Sequence, residues 1–446
     1  MVLIDETVVG VALPTIAQDL GLSPVDSQWV VNAYLLALAA LMMVGGRLSD
    51  LIGLLPAFLA GLSVFTLGSA AAGLADGDLA LIVSRAVQGI GGALMIPSSL
   101  AIVINSFPLE MRGRALGTYS GFGVAALSAG PPLGGLLTDV VSWRVIFWIN
   151  VPIAIAVLVI AAMAVRLPRV PSHRRGIDMV GLALLIPGLM AIVLGIMQAE
   201  VWGWGSLATW ALIAGGIALL AVFARVETRR PDPLIEVTLF KRRAFTGGSL
   251  GLLCAQFVGV SVSVYGAIYL QQHLGFSALI AGVALIPAMA PSTVMSYIGG
   301  RWVDRVGPRL PTLAGVLGSA VGFALMTLGT AIDSYPVLFV AFLVFAIGIP
   351  LVFLASTAAA VGAVDERQRG EASGVAQTCQ QFGATLGIAV LGAILLVGAE
   401  EVTFPVLFAV CGAIMLAAVP VALRLLPETP ARAAADEAAP AFGGGT

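Results

Sequence analysis

Runs of about twenty apolar residues recur along almost the whole chain, the length an α-helix needs to cross the hydrocarbon core of a bilayer. Inside that core each segment must satisfy its own backbone N–H and C=O groups, so repeated runs of this kind point to a bundle of membrane helices. Charge content agrees: 10% of the 446 residues are charged, against roughly 25% in a soluble domain. The 53 glycines suit helices that pack backbone to backbone in lipid.

Apolar windows place spans at 29–46, 56–75, 79–104, 115–137, 145–165, 179–197, 207–224, 245–270, 278–298, 310–331, 337–361, 372–397 and 404–425. Residues 1–20 add one more, giving an expected fourteen. Asp5 and Glu6 come so soon after Met1 that the first span is expected to be truncated at its N-terminal side. Lys and Arg concentrate in cytoplasmic loops. Here Arg85 lies inside a span and Arg144 in a loop on one side, while the other basic residues all fall on the opposite side. The expectation is a multi-pass protein of the cell membrane with both termini cytoplasmic.

A net charge of −2 offers no basic field for nucleic acid. Cys254, Cys379 and Cys411 sit in apolar runs, and His173 and His273 lie far apart, so neither a disulfide framework nor a metal site is indicated. Lys241 is the only lysine and is followed by Arg242, so no GxxxxGK[ST] phosphate loop exists. No cofactor or metal is expected, and transport powered by the chain's own ATP hydrolysis is disfavoured. The expected partners are a small-molecule substrate, protons and the bilayer, with the protein monomeric.

The chain repeats itself. Gly45-Gly46-Arg47-Leu48-Ser49-Asp50-Leu51-Ile52-Gly53 returns as Gly299-Gly300-Arg301-Trp302-Val303-Asp304-Arg305-Val306-Gly307. Arg112-Gly113-Arg114-Ala115-Leu116-Gly117 returns at nearly the same offset as Arg369-Gly370-Glu371-Ala372-Ser373-Gly374. A duplicated helical unit follows, as in many transporter halves. The offset exceeds a six-helix half by about 50 residues, room for two more spans. The expected layout is an N-terminal six-helix bundle (1–165), an inserted helix pair (166–230), a C-terminal six-helix bundle (231–427) and a disordered cytoplasmic tail (428–446).

These motifs, in this order, resemble the major facilitator superfamily, and the six-two-six count is similar to that of its fourteen-span drug:proton antiporters. Residues 5–14, Asp-Glu-Thr-Val-Val-Gly-Val-Ala-Leu-Pro, resemble that group's LDxTIVNVALP signature, with Gly10 in place of Asn. Arg85, Gln88, Gly89, Gly91 and Ala93 match RxxQGxGxA, and Gly130-Pro131-Pro132-Leu133-Gly134-Gly135 matches the GPxxGG antiporter motif. The family usually carries basic residues after the Asp and after the final Gly of the 45–53 loop, where this chain has Leu51, Leu54 and Leu55. The resemblance implies two pseudo-symmetric bundles and proton-coupled export of small hydrophobic or cationic compounds such as drugs, dyes or antibiotics by alternating access. It implies no enzyme. Uptake symport of a metabolite, or an inactive truncated paralogue, are the alternatives.

A charge at the membrane centre costs roughly 2.5–3.5 kcal/mol on insertion scales, so an intramembrane charge usually has a task. Asp5 is the expected proton acceptor and counter-ion for a cationic substrate; otherwise it is an acid that snorkels to the interface. Glu6 lies about 100° further round the helix and is expected to be accessory. Arg85 either relays the proton or ties backbone carbonyls between helices, and Gln88 shares its face one turn on. Asn32, Tyr34, Asn150, Gln256, Tyr265, Gln377 and Gln381 line the substrate cavity or serve as interhelical glue. Gly46, Arg47, Asp50, Gly53 and their counterparts Gly300, Arg301, Asp304 and Gly307 form tight connectors or a state-dependent latch. Gly130, Pro131, Gly134 and Gly135 bend and pack a helix. In a cysteine-free background, a cysteine at Asp76 is expected to react with a membrane-impermeant maleimide on intact cells, and one at Asp304 only after permeabilisation. The opposite pattern inverts the orientation.

Overall fold

The computed structural model describes residues 1–107, 109–164, 178–230, 233, 236–364, 369–397 and 403–428. Residues 166–177 of the expected inserted segment, and all of the expected tail 428–446 except residue 428, lie outside the described residues. The apolar runs form helices: α1 (Val2–Leu20), α2 (Pro24–Ile52), α3 (Leu54–Gly73), α4 (Asp78–Ser106), α5 (Leu109–Val140), α6 (Val145–Trp148) and α7 (Asn150–Ala164). Next come α8 (Met179–Trp202) and α9 (Leu207–Glu227), then a 3-10 turn at Val237–Lys241. The remainder is α10 (Arg243–Gln272), α11 (Ala278–Ala284), α12 (Ile286–Val306), α13 (Arg309–Ala331), α14 (Tyr335–Gly362), α15 (Arg369–Val397) and α16 (Thr403–Leu425). Local chemistry sets several starts: the Ser23, Ser206 and Ser277 hydroxyls and the Asp178 carboxylate accept first-turn N–H groups of α2, α9, α11 and α8.

Among the described residues, 11 helices are long and apolar enough to cross a membrane, which corrects the fourteen-span fold expectation. The three missing segments show why. The α1 helix carries Asp5, Glu6 and Asp19 along 19 residues. The expected α5 span, 115–137, holds six glycines and two prolines, which lower its hydropathy. The run 145–165 is divided at Ile149 into α6 and α7, leaving Val145–Ala161 as a shorter apolar helix. Windows of mean hydropathy count such stretches as crossings because they register neither helix breaks nor the local cost of acids.

The helices α1 to α7 pack among themselves around α4, which lies against both α2 and α3. A second group packs through α10 against α14 and α15, and α13 against α14 and α16. The two groups meet where α2 faces α15, α1 faces α10, and α5 faces α11 and α12. The α8 and α9 helices pair with each other, and α8 lies along the seam against α15 and α2. The two copies of the repeated loop end alike. Gly53 and Gly307 close α2 and α12 with φ of 100° and 80°, and their N–H groups donate to the carbonyls of Ser49 and Val303, the equivalent positions. A side chain at either φ is strained, which accounts for glycine in both.

The seam is tightest at the end of the bundle where Arg144 lies. A Cβ on Gly135 would stand 2.2 Å from the Ala278 carbonyl oxygen, and one on Gly282 2.3 Å from that of Pro131. Asp139 accepts the Leu279 N–H at 2.8 Å, and Gln271 Nε2 donates to the Val11 carbonyl at 2.8 Å. Arg144 and Trp143 both donate to Asp19, at 2.7 and 2.9 Å, fastening the end of α1. Gly135→Ala is expected to force α5 and α11 apart at a cost of about 1–3 kcal/mol, seen as a lower melting temperature in detergent. Gly215→Ala, where nothing lies within 4 Å, leaves it unchanged. Equal melting of the two variants would show that the close approach is dispensable.

Candidate functional site: a buried charge cluster

The sequence motifs place the site by letting helices approach one another. A Cβ on Gly89 would lie 2.4 Å from the Tyr34 carbonyl oxygen and one on Gly91 2.4 Å from the Phe65 nitrogen, so both glycines seat α4 against α2 and α3. On the other side, Gly130 faces the Thr7 hydroxyl and Gly134 the Val8 carbonyl, which seats α1 against α5. Thr7 fixes that contact by donating to the Leu127 carbonyl at 3.2 Å. Asp5 and Glu6, just before Thr7, are thereby carried into the interior.

Arg85 is 1% exposed, and its guanidinium forms an ion pair with Asp5, also 1% exposed. The same nitrogen donates to Gln88 Oε1 at 2.9 Å, and Gln88 Nε2 donates to the second Asp5 oxygen at 3.3 Å. Arg85 Nε donates to the Val30 carbonyl at 3.0 Å, and the guanidinium lies 4.4 Å from the centre of the Tyr34 ring. Tyr34 is held by its own hydroxyl, which donates to the Val2 carbonyl at 3.1 Å. A guanidinium supplied with carboxylate, amide, carbonyl and π partners is the way a buried cation is retained, since desolvation is otherwise prohibitive.

Glu6 points elsewhere. It accepts a hydrogen bond from Gln256 Nε2 of α10 at 2.9 Å, and Gln256 Oε1 accepts one from Gln380 Nε2 of α15 at 3.3 Å. Glu6 therefore joins the two helix groups, while Asp5, Arg85, Gln88 and Tyr34 lie within the first. Gln380 was not singled out from the sequence, where Gln377 and Gln381 drew notice by their one-turn spacing. Its polarity in an apolar helix was the available signal, but spacing within α15 does not reveal what faces it from α10.

The other expected residues are dispersed. Asn32 is fully buried and donates to the Met197 sulfur of α8 at 3.2 Å. Gln381 is buried and Gln377 half-buried on α15. Tyr265 donates to the Ile388 carbonyl at 2.6 Å, a tie between α10 and α15. Asn150 donates to Ser69 at 3.0 Å, and Ser69 to the Phe147 carbonyl at 2.8 Å, which joins α3, α6 and α7. Of the repeated loop, Arg301 and Asp304 are exposed, with Arg301 stacked 4.3 Å from the Tyr297 ring, and nothing lies within 4 Å of a Cβ on Gly300. A Cβ on Gly46 would meet Pro97 at 3.8 Å. The side chains of Arg47 and Asp50 lie outside the described residues.

Removing one member of a buried pair strands the other. Arg85→Ala is expected to cost about 3–5 kcal/mol, read as a lowered melting temperature, and the double variant Asp5→Asn/Arg85→Ala is expected to melt above it. A double variant that melts lower by the sum of the single effects would show that the two groups are energetically independent.

Residues 1–388 and 248–443 match the sequence profile of the Major Facilitator Superfamily. The chain is 33% identical over 395 residues to the tetracenomycin C resistance and export protein of Streptomyces glaucescens, covering 89% of this chain and 73% of that one. It is 37% identical over 404 residues to the cephamycin export protein of Amycolatopsis lactamdurans, covering 88% and 82%. The fold is similar to the crystal structure of a D-xylose-proton symporter, with a TM-score of 0.67, 16% identity and 96% of each chain covered. With 11 helices fit to cross a bilayer among its described residues and a profile spanning nearly all its length, the chain is a membrane protein belonging to the Major Facilitator Superfamily of transporters.

Proposed function

We propose that the protein is a proton-coupled antiporter that exports small hydrophobic or cationic organic compounds, antibiotics among them. The observation that carries this reading is the buried Asp5–Arg85–Gln88 cluster, in a chain whose relatives are named for antibiotic export. On this proposal the bundles 1–165 and 231–427 rock about the cluster, and the helices of 166–230 pack alongside. With both termini cytoplasmic, Asp5 takes a proton when the cluster faces outward and releases substrate. Facing inward it yields the proton to the cytoplasm, re-forms its pair with Arg85 and admits new substrate. Gln88 bridges the carboxylate and the guanidinium and keeps both aligned through the exchange. The glycines and prolines of 130–135 supply the bend and close packing on which the rocking depends.

The energetics suffice. Moving one charge through 100 mV is worth about 2.3 kcal/mol, which sustains a roughly fifty-fold substrate gradient. A growth-inhibition panel in a pump-deficient host identifies the compounds handled, and everted vesicles then measure their proton-driven uptake. Asp5→Asn is expected to abolish proton-driven uptake while the protein still folds. Full uptake by that variant would refute the assignment.

A further inference from the structure

Among the described residues, three buried side-chain amide oxygens have no donor: Gln28 Oε1 and Asn32 Oδ1 on α2, and Gln381 Oε1 on α15. Gln28 and Asn32 stand one turn apart on one face of α2. They are 7% and 0% exposed, where α2, α8 and α15 pack against one another. The α15 helix makes room for the first of them: a Cβ on Gly392 would lie 2.5 Å from Gln28 Oε1, so a larger residue there would expel the amide. Asn32 directs its Nδ2 at the Met197 sulfur of α8, a weak acceptor. Neither oxygen has the hydrogen bond that interhelical glue requires, and a buried acceptor left without a donor costs free energy. Two acceptors kept at that cost, one of them seated by a glycine, mark a place for a donor from outside the chain.

The position of the pair says when that donor arrives. Gln28, Gly392 and Met197 each lie within five residues of a helix end, about 8 Å. It is the end where α1 gives way to α2 and Asp19 meets Arg144. We propose that Gln28 and Asn32 form an acceptor subsite on the exit path, which takes hydroxyl or amide N–H donors of uncharged substrates. While α2 lies on α15 the subsite is closed. When the two helix groups part at this end, both oxygens face the opening, and a substrate that carries an O–H or N–H is held there before water replaces it. Compounds without a donor pass with no such gain. This inference rests on the export reading above, in which cytoplasmic termini make this the outer end, and it adds a preference among uncharged substrates.

The test measures initial proton-driven uptake into everted vesicles, at limiting dye, of Nile red, which has no donor, and of 2-hydroxy Nile red, which adds one O–H. The readout is the ratio of the two rates. In the double variant Gln28→Met/Asn32→Leu, of similar size but without the acceptor oxygens, the ratio is expected to fall about two- to tenfold, the worth of one hydrogen bond. Gln28→Asn in place of Gln28→Met recovers part of it. The double variant is expected to melt no lower than wild type in detergent, since neither oxygen has a donor to lose. A wild-type ratio in the double variant overturns the proposal. So does equal loss of both dyes with a lowered melting temperature, the result expected of interhelical glue, or a wild type that moves Nile red alone. A wild type that moves neither dye removes the export reading itself.

Discussion

A guanidinium cannot remain in hydrocarbon alone, and the ion pair between Arg85 and Asp5 is the constraint on which the first bundle depends. Its partners come from α1, α2 and α4 together: the Asp5 carboxylate, the Val30 carbonyl with the Tyr34 ring, and Gln88. These helices must approach closely enough for short side chains to meet, and glycines make that approach possible at 89 and 91 on α4 and at 130 and 134 on α5. Two runs that look like simple small-residue packing motifs are thus the means by which a charge pair is assembled inside a membrane.

The seam between the bundles is built differently. It is closed at one end by glycine contacts near Gly135 and Gly282 and crossed elsewhere by the hydrogen bonds of Glu6, Gln256 and Gln380. Each amide hydrogen bond contributes about 0.5–1.5 kcal/mol net, small enough for a bound ligand to replace. The α8 helix lies along this seam, and Asn32 of α2 reaches its Met197. Of the added pair, α8 thus lies against the boundary between the two helix groups, with α9 packed on it. The ion pair stays within one body, and the exchangeable contacts lie between bodies, a division suited to alternating access.

Much of this was legible in the sequence because it depends on local rules. Charge scarcity in apolar runs indicated the membrane, and the repeat ending at Gly53 and Gly307 corresponds to two helix ends with the same backbone geometry. Asp5, Arg85 and Gln88 stood out because charges inside spans are rare, and the structure brings them together. The span count was not legible, since a hydropathy window misses the break at Ile149 and the acids of α1. Nor was the partner of Glu6. Helical spacing shows which residues share a face, as with Gln377 and Gln381, but only tertiary packing reveals that Gln380 meets Gln256 and that Gln256 meets Glu6.

The central claim is that protons and substrate exchange at one buried charge cluster. The most direct measurement is the proton release that accompanies ligand binding to purified protein in weakly buffered solution, followed with a pH indicator while ethidium is added. The account predicts that saturating ethidium releases protons in proportion to the cation bound, and that the release vanishes when the cluster's carboxylates are replaced by amides. Saturable ethidium binding with no proton release would contradict it.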